Sequence, residues 1–370
     1  MPFDAELIVL VLAALAAAFV ISFAMTPVVR QFAMRSGVGV DIPKDNRRMH
    51  KVPIARIGGL AIFLGFLVSV LIFANINIEI RGILIGLVII VVLGLIDDIT
   101  PLPAILKFVV QIIAALIPVL HGVKIEFLMN LNVFSSTPYW SLNGLSIPIT
   151  IFWIVAITNS VNFIDGLDGL AAGVSSISAI SMLVIALLVS EPNIAVIMAA
   201  LAGACIGFMP YNLNPAKIFM GDVGATAIGY ILATISIQGL FKFYAIVSFA
   251  VPFLILALPL FDEIFAVLRR LLKGQNPMSP DKGHVHHRLI DMGFSQKQAV
   301  AIMYTLSGIL GLTAVVLTAS GEIRAILLVV AFIVAAFIGI RAYLSSKKNG
   351  TLEEDNENAA EPREENDEED

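Results

Sequence analysis

The sequence predicts an all-α, polytopic integral membrane protein of about eleven transmembrane helices, N-terminus outside and C-terminus cytoplasmic. Three observations carry this expectation. The 370 residues are 58% hydrophobic and only 14% charged, with a mean hydropathy of +0.93, far from the composition of soluble globular chains. Apolar runs close to a bilayer's thickness recur along the chain. Lys and Arg collect in alternate connections between those runs.

In order, the runs cover residues 5–26, 57–74, 81–97, 103–120, 147–164, 169–190, 194–210, 223–239, 243–268, 299–318 and 323–343. Each is expected to be helical, because a helix satisfies its backbone amides internally and lipid offers them no partner. The first run starts beside Asp4 and Glu6 with no preceding Lys or Arg, the reverse of a cleavable secretory signal. The first connection carries Arg30, Arg35, Lys44, Arg47, Arg48, Lys51 and Arg56; the one after the ninth run carries Arg269, Arg270, Lys273, Lys282, Arg288 and Lys297. Lys347 and Lys348 follow the last run. With eleven spans these all lie on one side, which the positive-inside rule makes cytoplasmic. Residues 1–348 form the expected transmembrane catalytic domain. Residues 349–370 form an acidic tail: "TLEEDNENAAEPREENDEED" has eleven acids and one Arg, a net −10 against −5 for the whole chain, leaving +5 elsewhere. Such a tail is too polar to fold alone. Cys205, the one cysteine, lies in an apolar run and reads as packing.

The same parity puts five polar blocks on the cytoplasmic side. They are "DIPKDNRRMHKVPIARIGG" from Asp41, "IDDITP" around Asp97 and Asp98, "NSVNFIDGLDGLAAG" from Asn159, "YNLNPAKIFMGDVGA" from Tyr211, and "NPMSPDKGHVHHRL" from Asn276. Asp97 and Asp98 end an apolar run, where two adjacent carboxylates meet the unfavourable end of a helix dipole and repel each other. A divalent cation or a proton-accepting role would relieve them. Asp165 and Asp168 stand between two apolar runs, where ionisable groups default to function; Asp168 alternatively caps the following helix. Asp222 enters the eighth run, as a cap or as a ligand. Phe219 is either packing or a platform for a base. His284, His286, His287 and Arg288 fall within five residues. Their spacing lacks the i, i+4 pair of a helical zinc site, and phosphate binding suits them better. Arg47, His50 and Arg56 read, taken alone, as ordinary positive-inside charge. Carboxylates with substrate oxygens are the ligand set of Mg²⁺ or Mn²⁺, and the cations opposite suit a diphosphate. The residues alone thus indicate metal-assisted phosphoryl chemistry at the cytoplasmic membrane face. No P-loop or dinucleotide fingerprint is present, and no nucleic-acid partner is expected.

In this order the five blocks resemble the polyprenyl-phosphate N-acetylhexosamine-1-phosphate transferases, relatives of the phospho-N-acetylmuramoyl-pentapeptide transferases, from about Asp41 to Phe294. The resemblance implies transfer of a sugar-1-phosphate from a UDP-sugar to undecaprenyl phosphate with release of UMP. It further implies Mg²⁺ or Mn²⁺ as cofactor, a bacterial plasma-membrane location, and a homodimer. By resemblance, Asp222 is the principal metal ligand. Asp97 and Asp98 are the acidic pair near the lipid phosphate, one of them a base. Asn162 and Asp165 are active-site polar groups, and Asp168 is a nucleotide contact. Asn212 and Phe219 hold the uracil; His284, His286, His287 and Arg288 contact diphosphate and sugar; Arg47, His50 and Arg56 bind substrate from the first loop. Pentapeptide transferases carry a Lys shortly after the acidic pair. Here Pro101 and Pro103 follow and the first Lys is Lys107, and "HVHH" replaces three consecutive histidines. Both departures point to the N-acetylglucosamine branch, and so to the first lipid-linked step of a surface glycan such as teichoic acid. The pentapeptide branch is the alternative within the family. A cation-coupled transporter is the alternative of another class, but its sites would lie nearer the midplane on repeat-related helices.

Overall fold

A computed structural model describes residues 5–42, 52–129, 139–239, 246–272, 274 and 284–320. Arg47, His50, the run 323–343 and the acidic tail lie outside the described residues. The described residues all lie within one compact unit, Met1–Glu322.

This unit is helical, as its composition requires. The helices are α1 (Ala5–Ser36), α2 (Gly59–Phe73), α3 (Ile78–Ile99), α4 (Ala104–Leu120), α5 (Ser146–Phe163), α6 (Leu170–Leu188), α7 (Pro192–Asn212), α8 (Gly221–Gly239), α9 (Ile246–Ile255), α10 (Ala257–Leu272), α11 (Val285–Asp291) and α12 (Gln296–Ser320). Among the described residues six helices, α1, α3, α5 with its preceding turn, α6, α7 and α12, are long and apolar enough to cross a membrane, and α2 and α4 are shorter apolar helices. The chain is therefore a multi-pass membrane protein, with fewer full-length spans among the described residues than the eleven expected.

The ninth expected span, 243–268, is not one helix. It breaks at Leu256 into α9 and α10. Pro259 supplies the reason: it has no amide hydrogen for the carbonyl of Ile255 and its ring crowds that carbonyl. The Ser178 hydroxyl donates to the Ile255 carbonyl at 3.2 Å instead. Beyond the break α10 is amphipathic, with Phe261, Phe265, Leu268 and Leu272 exposed and Asp262, Ala266 and Arg270 buried.

At the centre stands α8, buried from Val223 to Gly239 and packed on α3, α5, α2 and α6. Glycines allow the close approach. A Cβ on Gly59 of α2 would collide with the Gly224 backbone, and one on Gly94 of α3 would sit 2.5 Å from Val223 Cα. Among the described residues two short ribbons interrupt the helical fold. β1 (Val40–Asp41) pairs antiparallel with β2 (Ile54–Ala55), Val40 opposite Ala55. β3 (Phe127–Met129) pairs antiparallel with β4 (Tyr139–Ser141), Phe127 opposite Ser141. The first ribbon matters for the site, because its continuation hydrogen-bonds to the segment before α8: Phe219 N donates to Ala55 O at 2.8 Å, Gly58 N to Phe219 O at 3.0 Å, and Gly59 N to Met220 O at 2.8 Å.

The Gly94 contact is with backbone and cannot be relieved by a side-chain rotation. Gly94→Ala is expected to destabilise the protein by about 1–3 kcal/mol, the usual scale of overpacking, read as a lower melting temperature in detergent. Gly308→Ala in α12, where a Cβ meets nothing within 4 Å among the described residues, is expected to leave the melting temperature unchanged or raise it.

Candidate active site

The C-terminal ends of α3, α5 and α7 and the N-terminal ends of α6 and α8 meet at one end of the bundle, around a cleft of about 510 Å³. Its wall includes Arg56, Asn162, Asp165, Asp168, Asn212, Phe219, Asp222 and His287, eight residues that the sequence marks as candidates, together with Asp41 and Gln296, which it does not.

The start of α8 is built by another helix. Asp98, in the last turn of α3, has a fully buried carboxylate. One oxygen accepts the backbone N–H of Asp222 at 3.0 Å and the other that of Val223 at 3.0 Å, with the Arg56 guanidinium 3.7 Å away. The first amides of a helix lack internal partners and carry its positive dipole end, so Asp98 caps α8 from outside. Gly221 makes this possible: its φ is +72°, and a Cβ there would strike the Arg56 carbonyl and the Asp98 carboxylate. The turn requires glycine for both reasons.

Asp97 faces elsewhere. Its Oδ1 accepts from Leu102 N at 2.7 Å and its Oδ2 from Lys107 Nζ at 3.0 Å. Lys107 also reaches Asp222 Oδ2 at 3.3 Å. The adjacent carboxylates thus escape mutual repulsion by turning to different partners, a helix N-terminus and a lysine. Lys107, bonded to two candidate carboxylates, is a candidate that the motifs do not mark. A signal for it exists in the sequence: it is the sole ionisable residue in the run 103–120, and such residues in membrane helices are functional candidates.

Asp168 does not cap α6, one of its two expected roles. The cap position is Gly169, with φ +79° and no side-chain cap bond. Asp168 Oδ2 instead accepts from Asn214 Nδ2 at 2.9 Å and Ala216 N at 3.1 Å, bracing the loop that carries Phe219. Asn212, buried at the end of α7, joins the same loops: its Oδ1 accepts from Gly169 N at 3.1 Å and its Nδ2 donates to Ile218 O at 3.0 Å. Asn162 and Asp165 face the cleft. Burial pushes the Asp165 carboxyl well above the ordinary carboxylate range; repulsion from Asp222 and Asp98 adds to this and Arg56 opposes it.

The histidine block divides. Only His287 of the four lines the cleft. His284 is buried, its Nδ1 3.0 Å from Asp262 Oδ2. His286 is buried with both ring nitrogens unpartnered, packed where a Cβ on Gly166 would stand. Burial, with the neighbouring His287, pushes its pKa down to about 4, so it is neutral near pH 7 and unlike the cationic phosphate contact expected. Arg288 is exposed and does not line the cleft.

Among the described residues no three His, Cys, Asp or Glu side chains converge to hold a metal ion by themselves. The cleft nevertheless offers the hard oxygen donors a divalent cation prefers. Asp222 and Asp165 share its wall, and their mutual repulsion suits a site completed by cation and substrate oxygens.

The glycosyl transferase family 4 model matches residues 80–240, the stretch from α3 through α8 that builds the cleft. A probable undecaprenyl-phosphate N-acetylglucosaminyl 1-phosphate transferase of Bacillus subtilis is 38% identical over 79% of this chain and 81% of its own length. A decaprenyl-phosphate N-acetylglucosaminephosphotransferase of Mycobacterium tuberculosis is 36% identical over 81% of this chain and 80% of its own. A phospho-N-acetylmuramoyl-pentapeptide-transferase of Staphylococcus aureus is 29% identical over 80% of this chain and 96% of its own. With its motifs assembled around one cleft and relatives matched over most of their length, the chain belongs to glycosyl transferase family 4, among the enzymes that transfer a sugar phosphate to a polyprenyl phosphate.

Proposed function

We propose that the chain transfers N-acetylglucosamine-1-phosphate from UDP-N-acetylglucosamine to undecaprenyl phosphate, releasing UMP. The reaction takes place at the cytoplasmic face of a bacterial plasma membrane and begins a surface glycan such as teichoic acid. The observation that carries this reading is the cleft itself. At the end of an apolar bundle it combines acids (Asp165, Asp222), cationic or neutral donors (Arg56, His287) and an aromatic ring (Phe219). This is the chemistry needed where a lipid phosphate meets a nucleotide diphosphate. The greater identity to the N-acetylglucosamine enzymes than to the pentapeptide transferase favours that donor.

In this reading Asp222, with Asp165 beside it, holds Mg²⁺ or Mn²⁺, which when bound neutralises the diphosphate and stabilises charge on the transferring phosphoryl group. Arg56 and His287 bind diphosphate oxygens from the opposite wall. Phe219 lies against the uracil, its backbone fixed by Ala55 and Gly58. Asp168 and Asn212 act on the nucleotide through the loop they brace. Lys107 balances Asp97 and Asp222 until substrate arrives. The acceptor phosphate is itself a nucleophile, so no covalent enzyme intermediate is required. Both Asp98 oxygens are already committed to amides of α8, which argues against Asp98 as base or nucleophile. The Asp97 oxygens are likewise taken up by Leu102 N and Lys107, so Asp165, which lines the cleft, is better placed to keep the acceptor deprotonated.

UMP release by the purified chain with undecaprenyl phosphate and a panel of UDP-sugars tests the reading. Turnover with UDP-N-acetylglucosamine and its loss on chelation are expected; preference for UDP-N-acetylmuramoyl-pentapeptide would move the chain to the other branch, and no UMP from any donor would reject a transferase. Asp222→Asn is expected to abolish measurable turnover while leaving the melting temperature near the wild-type value, because Asp98 holds the Asp222 backbone and not its side chain. Phe219→Ala is expected to weaken UDP-sugar binding by about 1–3 kcal/mol, the scale of base–aromatic stacking. The apparent affinity for the lipid acceptor should barely change; equal losses for both substrates would indicate packing.

A further inference from the structure

Asp262 and Glu263 are the only charged residues in the apolar run 243–268, and neither lines the cleft. A carboxylate drawn into an apolar helix is costly unless it is paired. Asp262 is buried and uses both oxygens on one segment. Oδ1 accepts the backbone N–H of Val285 at 2.8 Å, and Oδ2 lies 3.0 Å from Nδ1 of His284. Glu263, its neighbour, accepts from the Ser160 hydroxyl in the last turn of α5, two residues before Asn162.

From His284 a row of rings leads to the cleft. His284 and His286 are stacked, with centroids 5.7 Å apart and planes 7° from parallel. The rings of His286 and His287 are 4.3 Å apart, and His287 lines the cleft. His284 also stacks on Phe163 at 5.6 Å. No hydrogen bond holds His286 by its ring, so the middle of the row depends on its ends. α11, which carries His286 and His287 and starts directly after His284, has only seven residues, too few to be helical without tertiary support.

We propose that Asp262 is a positioning residue for the transfer reaction: it anchors His284 and the start of α11, and through the ring row sets His287 against the diphosphate of the donor. Glu263 ties the same turn of α10 to α5, so His287 and Asn162 are both referenced to one short stretch of helix. The inference rests on the proposed role of His287 as a donor contact.

A double-mutant cycle on the full-length protein in detergent tests it, with KM for UDP-N-acetylglucosamine, kcat and melting temperature read for Asp262→Ala, His287→Ala and the double variant. His287→Ala is expected to raise KM about 10-fold, the scale of one hydrogen bond to a charged group, and Asp262→Ala should do the same. The double variant should be no worse than either single within about 3-fold, since the two act through one contact. Asp262→Asn keeps an oxygen for Val285 N–H and an amide facing His284, and should recover most of the affinity. If Asp262→Ala is not recovered folded, Asp262→Glu serves in its place: it keeps the charge, displaces the anchor, and should raise KM non-additively with His287→Ala. Multiplying effects, or an unchanged KM for the Asp262 variants beside a raised one for His287→Ala, would overturn the positioning role alone. An unchanged KM for His287→Ala in an active enzyme would remove the donor contact from the proposed function, and this inference with it.

Discussion

The site depends on one interaction, the buried carboxylate of Asp98 on the first amides of α8. It solves two problems at once. A carboxylate at the C-terminal end of α3 is at the wrong pole of its own helix, and the start of α8 is buried without a side-chain cap of its own. Each supplies what the other lacks. The bond fixes where α8 begins, and so where Asp222 projects. Gly221 and Gly59 let the segment 55–59 lie across the same point, which brings Arg56 over Asp98 and pins Phe219 beside it. Charge, cap and aromatic wall are thereby set by one junction of three chain segments.

Around this junction most polar side chains expected as ligands also hold loops. Asp168 braces residues 214–216, and Asn212 joins Gly169 to Ile218. His284 meets Asp262, and His286 fills the space beside Gly166. This leaves a small set facing the cleft, chiefly Asn162, Asp165, Asp222, Arg56, Phe219 and His287. The division is physically sensible. In an apolar bundle a polar side chain costs free energy unless paired, so most of these groups are held by partners and few are left facing the cleft.

Much of this is legible in the sequence. Composition carries the helical membrane class, and four of the five polar blocks supply residues to the cleft wall, while the fifth reaches it through the Asp98 bonds to the start of α8. What each side chain does there is less legible. Spacing cannot show that Asp97 and Asp98 part, one to Lys107 and one to α8, since the partners lie 10 and about 125 residues away. The cap expected of Asp168 fails because Gly169 takes the cap position in a left-handed conformation. The single span expected over 243–268 fails because hydropathy does not register Pro259, whose missing amide breaks the helix. Lys107, Asp262 and Glu263 stand out as rare charged groups within apolar runs, a signal that the density of motifs elsewhere obscures.

The most direct measurement is the melting temperature of Asp98→Ala in detergent, read beside its turnover. If Asp98 caps α8, its loss strands the buried Val223 amide and the half-buried Asp222 amide, at up to about 1–3 kcal/mol each. The melting temperature should then fall by several degrees, together with activity, and by more than in Asp222→Asn. An Asp98→Ala protein that is inactive yet melts at the wild-type temperature would contradict the capping role and place Asp98 in the chemistry instead.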